Sequence, residues 1–215
     1  MPLALDELTP LHDRTYDVRS FRVDETHIKV VGEVIDRKPP GMYVPDDPEP
    51  LTIHHMQVAI DVDVATMEIV DAEVSFEMHP NATCPDIIAH YRKLVGMSVA
   101  RGFNRNLREL FGGPRACTHT TALIQAMAPV VIQSLWSLRV SNRMRTGGSH
   151  QDEGPMDPDA VLRSNLNTCH VWAEDGPTVA RVRRGEAGEV PIWIERRYRD
   201  LGRDPEEWRA GAAIR

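Results

Sequence analysis

The stretch Leu51–Val64 constrains the fold of this chain more than any other. His54, Met56, Val58, Ile60, Val62 and Val64 alternate there with His55, Gln57, Ala59, Asp61 and Asp63. A period of two puts the first set on one face of a β-strand and the second on the other. His54, and not His55, therefore shares the apolar face. After a turn near Ala65-Thr66, Val70, Ala72, Val74, Phe76 and Met78 continue the pattern, so the two runs form an antiparallel hairpin. Upstream, Ile28, Val30, Gly32 and Val34 alternate within His27–Asp36, and a β-like run starts at Arg14 with Tyr16, Val18, Phe21 and Val23. Gly32 marks a bulge or a close backbone approach. Residues 1–13 read as an irregular arm. Lys38–Pro50 carries five prolines and is a lid-like loop.

The second half is helical. Cys84-Pro85-Asp86 opens a helix with Ile87, Ile88, Tyr91, Leu94 and Val95 on its apolar stripe, and Gly96 breaks it. Val99, Phe103, Leu107 and Leu110 then repeat at helical spacing, with Arg101, Arg105 and Arg108 on the wet side. Phe111-Gly112-Gly113-Pro114 stops that helix. Thr120–Leu138 is the longest helix, apolar on most sides, and Pro129 is expected to kink it. It is too apolar for one small sheet to cover, so a homodimer or larger assembly is expected. Ser141–Pro158 is rich in Gly, Ser, Asp and Pro and reads as a linker. In the tail, residues 166–172 and 178–183 read as a hairpin, Ile192-Trp193-Ile194 as an apolar anchor and residues 205–213 as a short helix.

Strands first and helices second predict an α+β fold, an antiparallel meander with helices packed on one face. The core is expected over 14–140, the linker over 141–158, and a hairpin-and-helix extension packed on the core over 159–215.

Composition excludes several function classes. The chain has 215 residues, 41% apolar and 27% charged, with a net charge of −7. That balance argues against nucleic acid or an anionic membrane as partner, since both need a basic surface. No window approaches the roughly 20 apolar residues of a membrane span. The N-terminus lacks the basic start and apolar run of a signal peptide. Three cysteines are too few for a disulfide framework and point to reduced thiols in the cytoplasm.

The residues best suited to chemistry are His54, Cys84, Cys117 and His119. Cys84 and Cys117 each precede a helix N-terminus, where a thiolate is favoured. Two thiolates and one or two imidazoles make a zinc set and also suit iron. The opposing reading is a pair of buried thiols and a core histidine. His119, Asp36 and His79 are the acid–base candidates, Asp36 because it closes a strand beside the proline loop. His55, Asp61 and His90 are further titratable groups, and Cys169-His170 is a second Cys/His pair in the tail.

Several motifs together resemble an uncharacterised bacterial family built around a domain of unknown function. They are Asp36-Arg37-Lys38, Ile53-His54-His55-Met56, Asp61-Val62-Asp63, Cys84, Leu94-Val95-Gly96, Gly102-Phe103, Gly112-Gly113, Cys117-Thr118-His119 and Thr168-Cys169-His170. The likeness covers about residues 14–195. Ala116 stands where the family has Gly, and Thr120 where it has Leu. The family's setting among catabolic genes implies a small aromatic or other organic substrate. The order of ligand, hairpin, Cys before a helix and Cys before a long helix is also similar to NifU-like iron–sulfur scaffolds. That likeness implies His54, Cys84 and Cys117 as ligands, and His54 in place of a thiolate favours a mononuclear ion over a cluster.

Two main functions follow as expectations. One is a zinc- or iron-dependent lyase or hydrolase, because no nucleotide-binding motif is present. The other is an iron–sulfur or metal carrier without turnover. A structural-metal domain docking a partner protein through Thr120–Leu138 is a third.

Overall fold

Four strands, β1 (Asp13–Arg22), β2 (His27–Lys38), β3 (Leu51–Asp63) and β4 (Glu68–Met78), form one antiparallel sheet in sequence order. This is the meander and α+β arrangement expected. The computed structural model describes residues 8–100, 102–148, 157–186 and 188–208. Arg101, most of the N-terminal arm, residues 149–156 of the expected linker and residues 209–213 of the expected last helix lie outside them.

Strand parity decides which side chains are buried. Ile28, Val30 and Val34 of β2 and Met56, Val58, Ile60 and Val62 of β3 are all within 2% of full burial. They pair across the ladder as Val30↔Ile60 and Val34↔Met56. Each such side chain contributes about 1.5–3 kcal/mol on leaving water. The helices lie against this face. Helix α1 (Phe103–Phe111) buries Phe103, Leu107 and Phe111 at i, i+4 and i+8, and α2 (Thr118–Arg145) buries Leu123, Ile124, Met127, Val131, Ser134 and Leu138. Helix α2 continues unbroken through Pro129, which is exposed.

Gly32 is the place where helix and sheet come closest. A Cβ there would lie 3.0 Å from Leu123 Cδ1 and 3.1 Å from Met127 Sδ. Further along α2, Ser134 Oγ lies 2.6 Å from Ser20 Oγ, and Asn142 Oδ1 accepts from Arg22 Nε at 2.8 Å. Helix α2 thus runs down the sheet with its N-terminus at the β2–β3 loop end. Gly32→Val should destabilise this unit by about 1–3 kcal/mol, since the added methyls overpack a filled seam. An unchanged midpoint in chemical denaturation would show that α2 does not depend on the close approach.

Between sheet and α1 the helix expected from Cys84 forms as a 3₁₀ segment, Cys84–Leu94. Ile88, Tyr91 and Leu94 recur every third residue, which suits three residues per turn, and Tyr91 and Leu94 are buried.

Against the expectation that no window approaches a membrane span, α2 is, by length and composition only, one helix long and apolar enough to cross a membrane. Its packed face is equally that of a core helix, compatible with a soluble protein.

The chain divides into two compact units, residues 1–142 and 143–215. The second contains α3 (Pro158–Asn165), a 3₁₀ turn at His170–Trp172, α4 (Pro177–Arg183) and α5 (Ile192–Asp200). The expected hairpin is therefore absent among the described residues. Gly176 and Pro177 act as N-cap and first residue of α4, where proline is pre-organised for a helix. Ile192 and Trp193, expected as an anchor, open α5 and are 66% and 69% exposed.

Candidate functional site

One row of the sheet carries charge in place of carbon. Asp36 continues the inward series Ile28, Val30, Gly32, Val34, and is only 1% exposed. The register sets Arg14 of β1 opposite it on one side and His54 of β3 on the other. Directly opposed residues share a face, so Arg14, Asp36 and His54 are neighbours at the end of the sheet nearest the proline loop. The pairing shifts immediately after Asp36, which ends the regular ladder there.

Helix α2 delivers the fourth group. His119 lies four and eight residues before Leu123 and Met127, which pack on Gly32, so it points at the sheet from the first turn of the helix. Its ring stacks on that of His54 with centroids 3.9 Å apart and an interplanar angle of 29°. The helix start is held by Tyr91, whose hydroxyl accepts from Cys117 N–H at 3.0 Å and donates to Cys117 C=O at 3.2 Å.

All of these groups face one carboxylate. Arg14 Nε donates to Asp36 Oδ1 at 2.5 Å and Nη2 to Oδ2 at 2.6 Å. His54 Nδ1 lies 3.0 Å from Oδ2, His119 Nε2 3.4 Å from Oδ2 and His12 Nε2 3.5 Å from Oδ1. Burial alone would raise the Asp36 pKa, but the Arg14 fork and the Arg14 charge, with help from His119 and His54, hold it at about 2. Arg14 is held more firmly charged by its bond to Asp36. Burial, then His54 and Arg14, depress the His119 pKa, and Asp36 offsets only part of this. At neutral pH the carboxylate is ionised and the His119 imidazole neutral, the states in which both bind a cation.

Ligand atoms of Asp36, His54 and His119 lie within 4.8 Å of one another. The expected set of His54, Cys84, Cys117 and His119 is brought together only in part. His54 and His119 are there, and Asp36, expected as an acid–base group, stands with them. Cys117 Sγ lies 3.6 Å from His119 Nδ1, on the ring nitrogen turned away from Asp36. Cys84 is outside the set; it starts the 3₁₀ segment and its N–H donates to Asn81 C=O. His79 does not join either, because its Nδ1 bonds the same carbonyl at 2.9 Å. On the opposite sheet face His55 pairs with Glu33 at 3.0 Å, which agrees with the parity argument. Asp61 pairs with Lys29, and His90 Nε2 lies 3.2 Å from the Leu110 carbonyl.

Arg14 and His12 are members that the sequence did not single out. The signal for a partner was present nonetheless, since an acid at an inward strand position needs one.

The donor set of two imidazoles and a carboxylate suits zinc in an open catalytic site or Fe(II). His54 and His119 retain 16% and 21% side-chain exposure, so the cluster is reachable from solvent. An iron–sulfur cluster needs thiolates, and the assembled set contains none.

In comparison with known proteins, a family described as a protein of unknown function, DUF2889, matches residues 12–133. That segment begins at His12 and includes every residue of the cluster. No curated protein and no solved structure matches, so the likeness to NifU-like scaffolds finds no support there.

Proposed function

The chain belongs to the DUF2889 family of proteins of unknown function, and from its geometry we propose that it is a metal-dependent enzyme of the lyase or hydrolase type. The observation that carries this reading is the convergence of Asp36, His54 and His119 at a partly open sheet end. Those three residues would hold zinc or Fe(II). Bound there, the ion would supply Lewis-acid polarisation of a substrate carbonyl or hydroxyl. Asp36 stays ionised, His54 and His119 present ring nitrogens on its Oδ2 side, and Arg14 balances the buried charge. Cys117 serves as the outer partner of His119, fixing the orientation of its ring from Nδ1. A small aromatic or other organic molecule is the proposed substrate, the cytoplasm with its reduced thiols the proposed setting, and a homodimer or larger oligomer the proposed assembly.

A second reading is favoured by one contact. Cys117 Sγ, the His119 ring and Asp36 stand in the order thiol, imidazole, carboxylate, as in nucleophilic hydrolases. Cys117→Ser separates the two. With Cys117 as an outer partner, the variant keeps zinc with an affinity lowered by about 10–100-fold and retains part of its turnover. With Cys117 as nucleophile, zinc has no part and turnover is lost. Titration of EDTA-dialysed wild-type and variant protein with zinc and Fe(II) reads the first directly, and absence of binding by the wild type would exclude the metal reading.

A further inference from the structure

We propose that Arg14 is a positioning residue for the metal and decides how Asp36 is offered to it, an inference that rests on the metal reading above. The two bonds of the Arg14 fork, Nε to Oδ1 and Nη2 to Oδ2, fill the edge of the carboxylate. A chelating cation would need that same edge, because a bidentate guanidinium and a bidentate ion use the same pair of lone pairs. The remaining side of Oδ1 is turned to His12 Nε2 at 3.5 Å. The remaining side of Oδ2 is turned to His54 and His119, at 3.0 and 3.4 Å. Asp36 therefore has one oxygen, on one side, for an ion that also takes both imidazoles.

This limits the class of ion. A single carboxylate oxygen with two ring nitrogens suits zinc or Fe(II). Calcium takes about six to eight oxygens and favours chelating carboxylates, so the fork turns it away. The clamp is fixed by the fold, since Arg14 and Asp36 are direct partners in the β1–β2 register and Asp36 is buried. Lysine would keep the charge at this position but, as a point donor, could not grip both oxygens.

The test compares EDTA-dialysed full-length protein with Arg14→Lys, each titrated with zinc in the presence and absence of excess calcium. The wild type should bind zinc unaffected by calcium. The variant keeps the local charge, so lost orientation alone should lower its zinc affinity by about 10–100-fold. Equal zinc affinity in the two proteins overturns the role of Arg14 and leaves the metal reading standing. A wild type that binds no zinc overturns the metal reading itself, and the inference with it. Should Arg14→Lys fail to fold by circular dichroism, X-ray absorption of the zinc-loaded wild type decides. One carboxylate oxygen bonded to zinc supports the clamp, and a chelating carboxylate overturns it.

Discussion

Replacing Arg14 by alanine is expected to destabilise the sheet unit by about 3 kcal/mol at neutral pH, the toll of leaving a buried charge without its partner. The cost is asymmetric across the pair. Asp36 is 1% exposed and cannot be rehydrated where it stands, whereas the Arg14 side chain is 36% exposed. Asp36→Ala should therefore cost only about 1 kcal/mol, near the value of an exposed pair. Acid provides the control. The Asp36 pKa is lowered on folding, so its stabilisation is fully present above the unfolded carboxylate value of about 3.9 and is lost as pH falls toward about 2. Without Arg14, burial raises the Asp36 pKa, so wild type and Arg14→Ala should differ at pH 7 and converge as the pH falls through about 2 in urea denaturation. A difference that stays constant down to pH 2 would mean that Arg14 acts through packing of its stem and not through the carboxylate.

The second large effect concerns two adjacent histidines. His54→Ala should lower zinc affinity by on the order of 100-fold or more, since a lost ligand costs at least as much as a lost outer partner. His55→Ala should leave affinity unchanged, because His55 lies on the opposite face with Glu33. Calorimetric titration of both variants reads this contrast. Comparable losses in the two would mean that both act through the strand, not through a site on one face.

The strands and the face of His54 were legible in the sequence because a period of two is local information. The inward parity of Asp36 was legible in the same way, from Ile28 through Val34. What could not be read was the register. The residue opposite Asp36 depends on how β1 and β3 slide against β2, and the five-proline loop Lys38–Pro50 gives no turn type that would fix it. Arg14, 22 positions from Asp36, was invisible for that reason. The cysteines misled in a different way. Placement before a helix favours a thiolate, but it does not say where the helix points. Tyr91 holds the Cys117 backbone so that the thiol faces His119 Nδ1, and Cys84 opens a 3₁₀ segment tied to Asn81. In the tail, Gly176-Pro177 suited a turn or a helix start equally well, and local residues alone did not choose between them.

The most direct test is a crystal structure of zinc-soaked protein with anomalous diffraction recorded on both sides of the zinc edge. The result expected is a single anomalous peak bonded to Asp36 Oδ2, His54 Nδ1 and His119 Nε2, with Arg14 still on the carboxylate. An anomalous map with no peak at these three residues, or a zinc held by Cys84 and Cys117 instead, would contradict it.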